Sequence, residues 1–144
     1  MGDELMIAVE HGHLEQARSL LEAGADPRED DWGFSLIDEA VDREDEQMVR
    51  LLVSYGARLD VQDEQGRTRL HRVAGANRTR LLLRLGLDPN VADHDGWTPL
   101  HFAAAYGSQQ VAAALIEAGA DPTAATKAEK KPGDLARVNG HDWD

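Results

Sequence analysis

Residues 95–122 read DGWTPLHFAAAYGSQQVAAALIEAGADP, and the order of punctuation in this stretch decides the fold. With Asp93 two residues upstream, Asp93 to Gly96 has the D-x-x-G form of a tight turn, in which the carboxylate bonds local backbone and the glycine supplies a positive φ. Thr98 then stands where an N-cap hydroxyl satisfies orphan amides, and Pro99 takes the first helical position, where its missing N–H costs nothing. A second apolar run, LIEAGADP, closes on Gly119 at the position just past a helix end that favours a left-handed residue. The stretch is therefore a turn, a short helix and a second helix.

The same punctuation recurs along the chain. The strings LLEAGADP (20–27), LLVSYGARLD (51–60), LLLRLGLDP (81–89) and LIEAGADP (115–122) align their glycines at 24, 56, 86 and 119, at spacings of 32, 30 and 33. A second series, WGFSLIDEAV (32–41), QGRTRLHRVA (65–74) and DGWTPLHFAA (95–104), keeps step with it. Turn signatures run from Asp30 to Gly33 and from Asp63 to Gly66, followed by Ser35 and Thr68 as N-caps. A period of about 33 residues marks a solenoid built of identical supersecondary units.

These motifs give the family resemblance. The stretch 95–122 is very similar to the ankyrin repeat, GHLEQARSLLEAGADP (12–27) resembles its second half, and T-P-L-H, the G-H-L-E turn and the closing A-G-A-D keep a fixed relative register. The resemblance implies an all-α fold, an ankyrin-type helix-turn-helix solenoid with short hairpin fingers, and it covers nearly the whole chain. One domain over 1–144 is expected, small and stand-alone, with repeats at about 3–27, 28–60, 61–89 and 90–122 and a truncated C-terminal cap at 123–144. In the cap, KKPGDLARVNGHDWD, Asp134 replaces the motif histidine.

Two repeats depart from the pattern. The second has SLID for T-P-L-H and Glu44-Asp45 where others carry a turn glycine, which predicts a less regular turn between its helices. In the third, Ala74 to Gly86 spans 12 residues where Ala104 to Gly119 spans 15, a loss close to one helical turn. Leu81, Leu82 and Leu83 keep their register to Gly86, so the loss falls at 75–77 and predicts a stubby second helix capped by Asn77.

Composition bounds the function. The 144 residues carry 27 acids, 15 Lys or Arg and no cysteine, for a net charge of −12. Residues 1–60 hold 16 acids against 5 bases, whereas residues 61–89 hold 3 against 6, all arginine. An overall field this negative repels phosphate backbones and favours a basic partner. The absence of cysteine removes disulfides and thiolate sites. No apolar run reaches the roughly 18 residues of a membrane span, and no signal peptide is recognisable at the N-terminus, which together predict a cytoplasmic location.

What the resemblance implies about recognition is that it lies on the finger tips and the inner face of the first helices. Aligning the repeats there places Phe34, Arg67 and Trp97 in one column, Trp32 before the finger glycine, His94 two residues before another, and Tyr106 at a first-helix end. Trp32, Phe34, Arg67, His94, Trp97 and Tyr106 are the expected partner-binding residues, since aromatic side chains on rigid loops make interface anchors. Arg67, flanked in its column by Phe34 and Trp97, is expected to make cation–π contacts; Phe102 reads as structural. The inner columns set Asp38 beside His71 and Glu39 beside Arg72, predicting a charge pair whose members couple in a double-mutant cycle. Arg80 and Arg84, four apart, read as a solvated back face.

Chemistry is otherwise sparse. His71 and His101 belong to the T-x-L-H motif, and His11 with His13 has no convergent third ligand, so no metal is expected. Neither a nucleophile and base in a shared pocket nor a phosphate loop is present, so no enzyme activity and no cofactor are expected. The reading is a non-enzymatic protein-protein interaction module, a monomer that takes another protein and neither nucleic acid, membrane nor small-molecule substrate. The alternative is an immunity-type or antitoxin-type inhibitor that occludes a basic toxin or enzyme through its acidic N-terminal repeats.

Overall fold

The structure, a computed structural model, describes residues 2–28 and 36–138. Every regular element among them is a helix, and they fall into two compact units, residues 1–59 and 60–144. The N-terminal unit holds α1 (Gly2–Glu10), α2 (Leu14–Glu22), α3 (Leu36–Asp42) and α4 (Glu46–Ser54). The C-terminal unit holds α5 (Arg69–Arg72), α6 (Ala76–Arg84), α7 (Pro99–Tyr106), α8 (Gln109–Glu117) and α9 (Pro132–Val138). In each unit first helices stack on first helices and second on second: α1 on α3 and α2 on α4, then α5 on α7 on α9 and α6 on α8. This is the all-α repeat architecture that the ankyrin resemblance implies.

Apolar residues at helical spacing bury the faces that meet. Leu5, Ala8 and Val9 of α1 and Leu36, Ile37 and Ala40 of α3 are all but inaccessible, and alanines such as Ala8, Ala40 and Ala104 let neighbouring helices approach closely. Each second helix ends in the same pair of backbone bonds. In the first repeat Ala25 N–H donates to Leu20 and Gly24 N–H to Leu21, a Schellman motif, repeated by Ala57 to Leu52, Leu87 to Leu82 and Ala120 to Leu115. The sequence columns therefore coincide with backbone chemistry.

The turn between helices of the second repeat is as regular as those of the first and fourth, contrary to expectation. Asp45 N–H donates to Ala40 O at 3.0 Å, as His13 does to Ala8 and Ser108 to Ala103. Glu44 occupies the left-handed region at φ 56°, the conformation that Gly107 holds at 76°. Asp45 then caps α4, its carboxylate accepting from Met48 N–H. Packing on both sides of the turn overrides the preference of a side-chain-bearing residue for negative φ.

In the third repeat the shortened helix is the first, not the second. α6 has nine residues, as α8 has, while α5 has four where α7 has eight. Asn77 lies inside α6, and Gly75 is the N-cap. The reason is packing: α6 buries Thr79, Leu81 and Leu82 against α8 and needs every turn. α5 buries Arg69, Leu70 and His71 within its single turn. The chain leaves α5 through an extended Val73, and Gly75 at φ 90° starts α6 directly.

Candidate protein-binding face

The fingers of the C-terminal unit are built on acceptors supplied by one side chain each. Asp63 Oδ1 accepts from the N–H groups of Gln65 and Arg67 at 2.9 and 3.0 Å, and Asp93 Oδ1 from those of Asp95 and Trp97, both at 2.9 Å. In the third finger Thr126 does this with its hydroxyl, accepting from Lys130 N–H at 3.1 Å. Backbone bonds tie finger to finger: His94 N–H donates to Gln65 O at 2.8 Å and Lys127 N–H to Asp95 O at 2.9 Å. At Gly96, φ 82°, an added Cβ would lie 2.9 Å from the backbone nitrogen of Lys127, so the close approach of two fingers requires this glycine.

Motif histidines hold the fingers to the helices. His71 Nδ1 accepts from Thr68 N–H at 2.9 Å, which fixes the proton on Nε2, and Nε2–H donates to Trp97 O at 2.9 Å. His101 repeats the arrangement, accepting from Thr98 N–H and donating to Lys130 O, both at 2.9 Å. Burial, partly opposed by those carbonyls and by the charge of Asp93, holds both imidazoles below their usual pKa. They serve as neutral struts.

On this frame sits a row of aromatic rings. Trp97 and Phe102 have centroids 5.0 Å apart, and Phe102 and Tyr106, one turn apart on α7, are stacked at 6.3 Å. Tyr106 ends the row with 78% of its surface exposed. Arg67 bridges the row to the finger: its guanidinium lies 5.0 Å from the Phe102 centroid, and its Nε donates to Asp93 Oδ2 at 3.2 Å. Asp93 is 1% exposed at its side chain. Burial pushes its carboxyl upward, but the Trp97 N–H, the Arg67 guanidinium and the Asp95 N–H together hold it below the ordinary carboxylate range.

Of the six residues singled out in the sequence, the structure brings Arg67, Trp97 and Tyr106 together, with Phe102 at the centre. The aromatic partner of Arg67 is Phe102, a residue whose sequence position reads as structural; it is half-buried. A signal for this is present in the repeat alignment: Phe102 shares a column with Arg72, which is exposed. His94 is exposed on its finger with its ring over Gly66, outside the aromatic row. Trp32 and Phe34 lie outside the described residues.

Beside the row is a hollow of about 510 Å³, lined by Leu70, Arg72, Val73, Phe102, Tyr106 and Val111 among others. Among the described residues no group of three His, Asp or Glu could hold a metal ion, and no helix is long and apolar enough to cross a membrane.

Comparison with known proteins places this architecture. A family model described as ankyrin repeats in three copies matches residues 36–126, and a second, of many copies, matches residues 5–53. Similar curated proteins include calmodulin-binding transcription activator 6 of Arabidopsis thaliana, 44% identical over 40% of this chain and 8% of its own length. They also include human ankyrin repeat and SOCS box protein 16, 37% identical over 74% of this chain and 24% of its own length. Mouse protein phosphatase 1 regulatory subunit 12A is 33% identical over 68% of this chain and 10% of its own length. The chain thus spans a quarter or less of these relatives.

Proposed function

The chain belongs to the ankyrin-repeat family, and on that premise we propose that it is a non-enzymatic module that binds a partner protein through its finger tips and first-helix face. The carrying observation is the Trp97, Phe102 and Tyr106 row, open to solvent at Tyr106 and held on a frame of tied fingers. Aromatic anchors fixed before encounter lose little conformational entropy on binding, which concentrates affinity in few residues. The contact set is Trp32, Phe34, Arg67, His94, Trp97 and Tyr106. Arg67 contributes mainly by ordering Phe102, since Asp93 already neutralises it. The relatives support this reading through names such as regulatory subunit.

The test is capture of partners from the source cell by immobilised wild-type chain and by Trp97→Ala/Tyr106→Ala, with circular dichroism to verify the fold. Loss of a captured protein in the variant is the expected result; identical capture would dismiss the aromatic row as the contact. A second reading is favoured by the 16 acids against 5 bases in residues 1–60: an inhibitor that covers a basic surface on a toxin or enzyme. Its association rate would fall steeply with added salt, whereas an aromatic-anchored complex would change mainly in dissociation rate on Trp97→Ala.

A further inference from the structure

The four-residue α5 leaves an opening that no full-length repeat would have. α7 runs for eight residues, so the later part of it, Phe102, Ala103 and Tyr106, faces a stretch where its neighbour has become the extended Val73 and the cap Gly75. The 510 Å³ hollow lies there, within the roughly 300–1,000 Å³ of sites that hold a ligand. Its walls are mostly apolar: Leu70, Val73, Pro99, Phe102 and Val111.

Its charges are all of one sign. Arg67 and Arg72 line it and no acid does, in a chain with net charge −12. Arg67 is matched by Asp93, and His71 has both nitrogens committed as a neutral ring, so Arg72 sets the sign of the hollow. Asp63, whose carboxylate feels Arg72, spends Oδ1 on two backbone amides of its own finger.

We infer that this hollow, created by the three-residue shortening of the third repeat, is a docking site for an acidic segment of a partner protein. The segment inserts one large apolar side chain between α5 and α7 and sets a neighbouring carboxylate on Arg72. The apolar side chain replaces the missing helical turn against Phe102 and Tyr106, and the carboxylate gains a charge-assisted hydrogen bond at the rim. The inference rests on the binding-module reading and narrows its partner: the sequence balance asks for a basic one, and this hollow asks for acid at one point.

The probe is a labelled peptide, GDDFDEG, titrated into the full chain by fluorescence anisotropy and by amide chemical shifts. Binding that shifts the amides of Val73, Gly75, Ala103 and Ser108 is expected. Arg72→Gln and the lysine-flanked peptide GKKFKKG should each weaken it by about tenfold. Tyr106→Ala, at a side chain that is mostly exposed and so harmless to the fold, should weaken it as well. Inserting Ala-Ala-Lys after Ala74, to complete the second turn of α5, should abolish it in a chain whose circular dichroism stays helical. Binding unchanged by Arg72→Gln, equal binding of the lysine peptide, or shifts confined elsewhere would overturn the assignment. If the peptide fails while Trp97→Ala/Tyr106→Ala still loses a captured protein, the hollow falls and the binding module stands; loss of neither overturns both.

Discussion

The third and fourth repeats differ by three residues, and the difference lies in what each does with its first helix. The fourth makes the full set: α7 with eight residues, a left-handed Gly107, and Ser108 capping α8 by accepting from Val111 N–H. The third keeps its second helix at nine residues and gives up half of its first. The third repeat keeps every turn of α6 and the single turn of α5 that buries Arg69, Leu70 and His71, so the deletion is absorbed in the later part of the first helix. Loss of length in a solenoid thus becomes a change of surface.

The two fingers offer the largest test of that comparison. Gly96→Ala should cost about 2–4 kcal/mol, because a left-handed alanine is added to a clash with the backbone of Thr126 and Lys127. Gly66→Ala should cost about 1–2 kcal/mol, because its nearest neighbour is the His94 ring, which can swing away. Chemical denaturation of both variants checks the order, and equal losses would mean the fingers are not held as described. Next comes the pair of finger aspartates. Asp93→Ala strips two amides and Arg67 of a buried partner and should cost about 2–3 kcal/mol, against about 1 kcal/mol for the half-exposed Asp63.

Acid should act on both repeats alike, through His71 and His101. Both are held below the ordinary imidazole pKa, so the unfolded chain takes up protons first as pH falls. Their stabilising contribution is complete above about pH 6.5 and drains away as pH drops from there through the folded values. Urea midpoints of the wild type at pH 7.5 and 5.5 check this, and a His71→Gln/His101→Gln variant should show the smaller pH dependence. Asp63 and Asp93, lowered carboxylates, lose their contribution only as pH falls from about 3.8, in a separate window. The smallest effect belongs to the second repeat, whose turn matches the fourth without a glycine: Glu44→Gly should gain about 0.5–1 kcal/mol, read as a rise in melting temperature.

Much of this is legible in the sequence where a residue answers to its own backbone. Thr68, Thr98, Pro99 and the four glycines closing the second helices occupy the roles their chemistry assigns. Sequence misleads where an outcome depends on a neighbour. It puts the shortening at 75–77, whereas the lost turn lies before Gly75, and it charges the loss to the wrong helix, because leucine register says where α6 ends and nothing of how much α5 must bury. Phe102 reads as core for the same reason, since an apolar residue on α7 is covered or open according to the length of α5. Glu44 misleads in the opposite sense, as packing holds a turn that its side chain disfavours. The expected contacts at Trp32 and Phe34 fall outside the described residues and stay proposals.

The histidine struts also give the C-terminal unit a direction. Each Nε2–H finds its acceptor one repeat further on, His71 at Trp97 and His101 at Lys130, and neither reaches back. Each strut is therefore satisfied only by the repeat on its C-terminal side. Cutting the chain after Pro122 would leave the His101 proton without its carbonyl and the Asp95 carbonyl without its amide, while an equal cut from the other side spares both. Damage in such a series travels upstream, from the segment removed to the one that leaned on it.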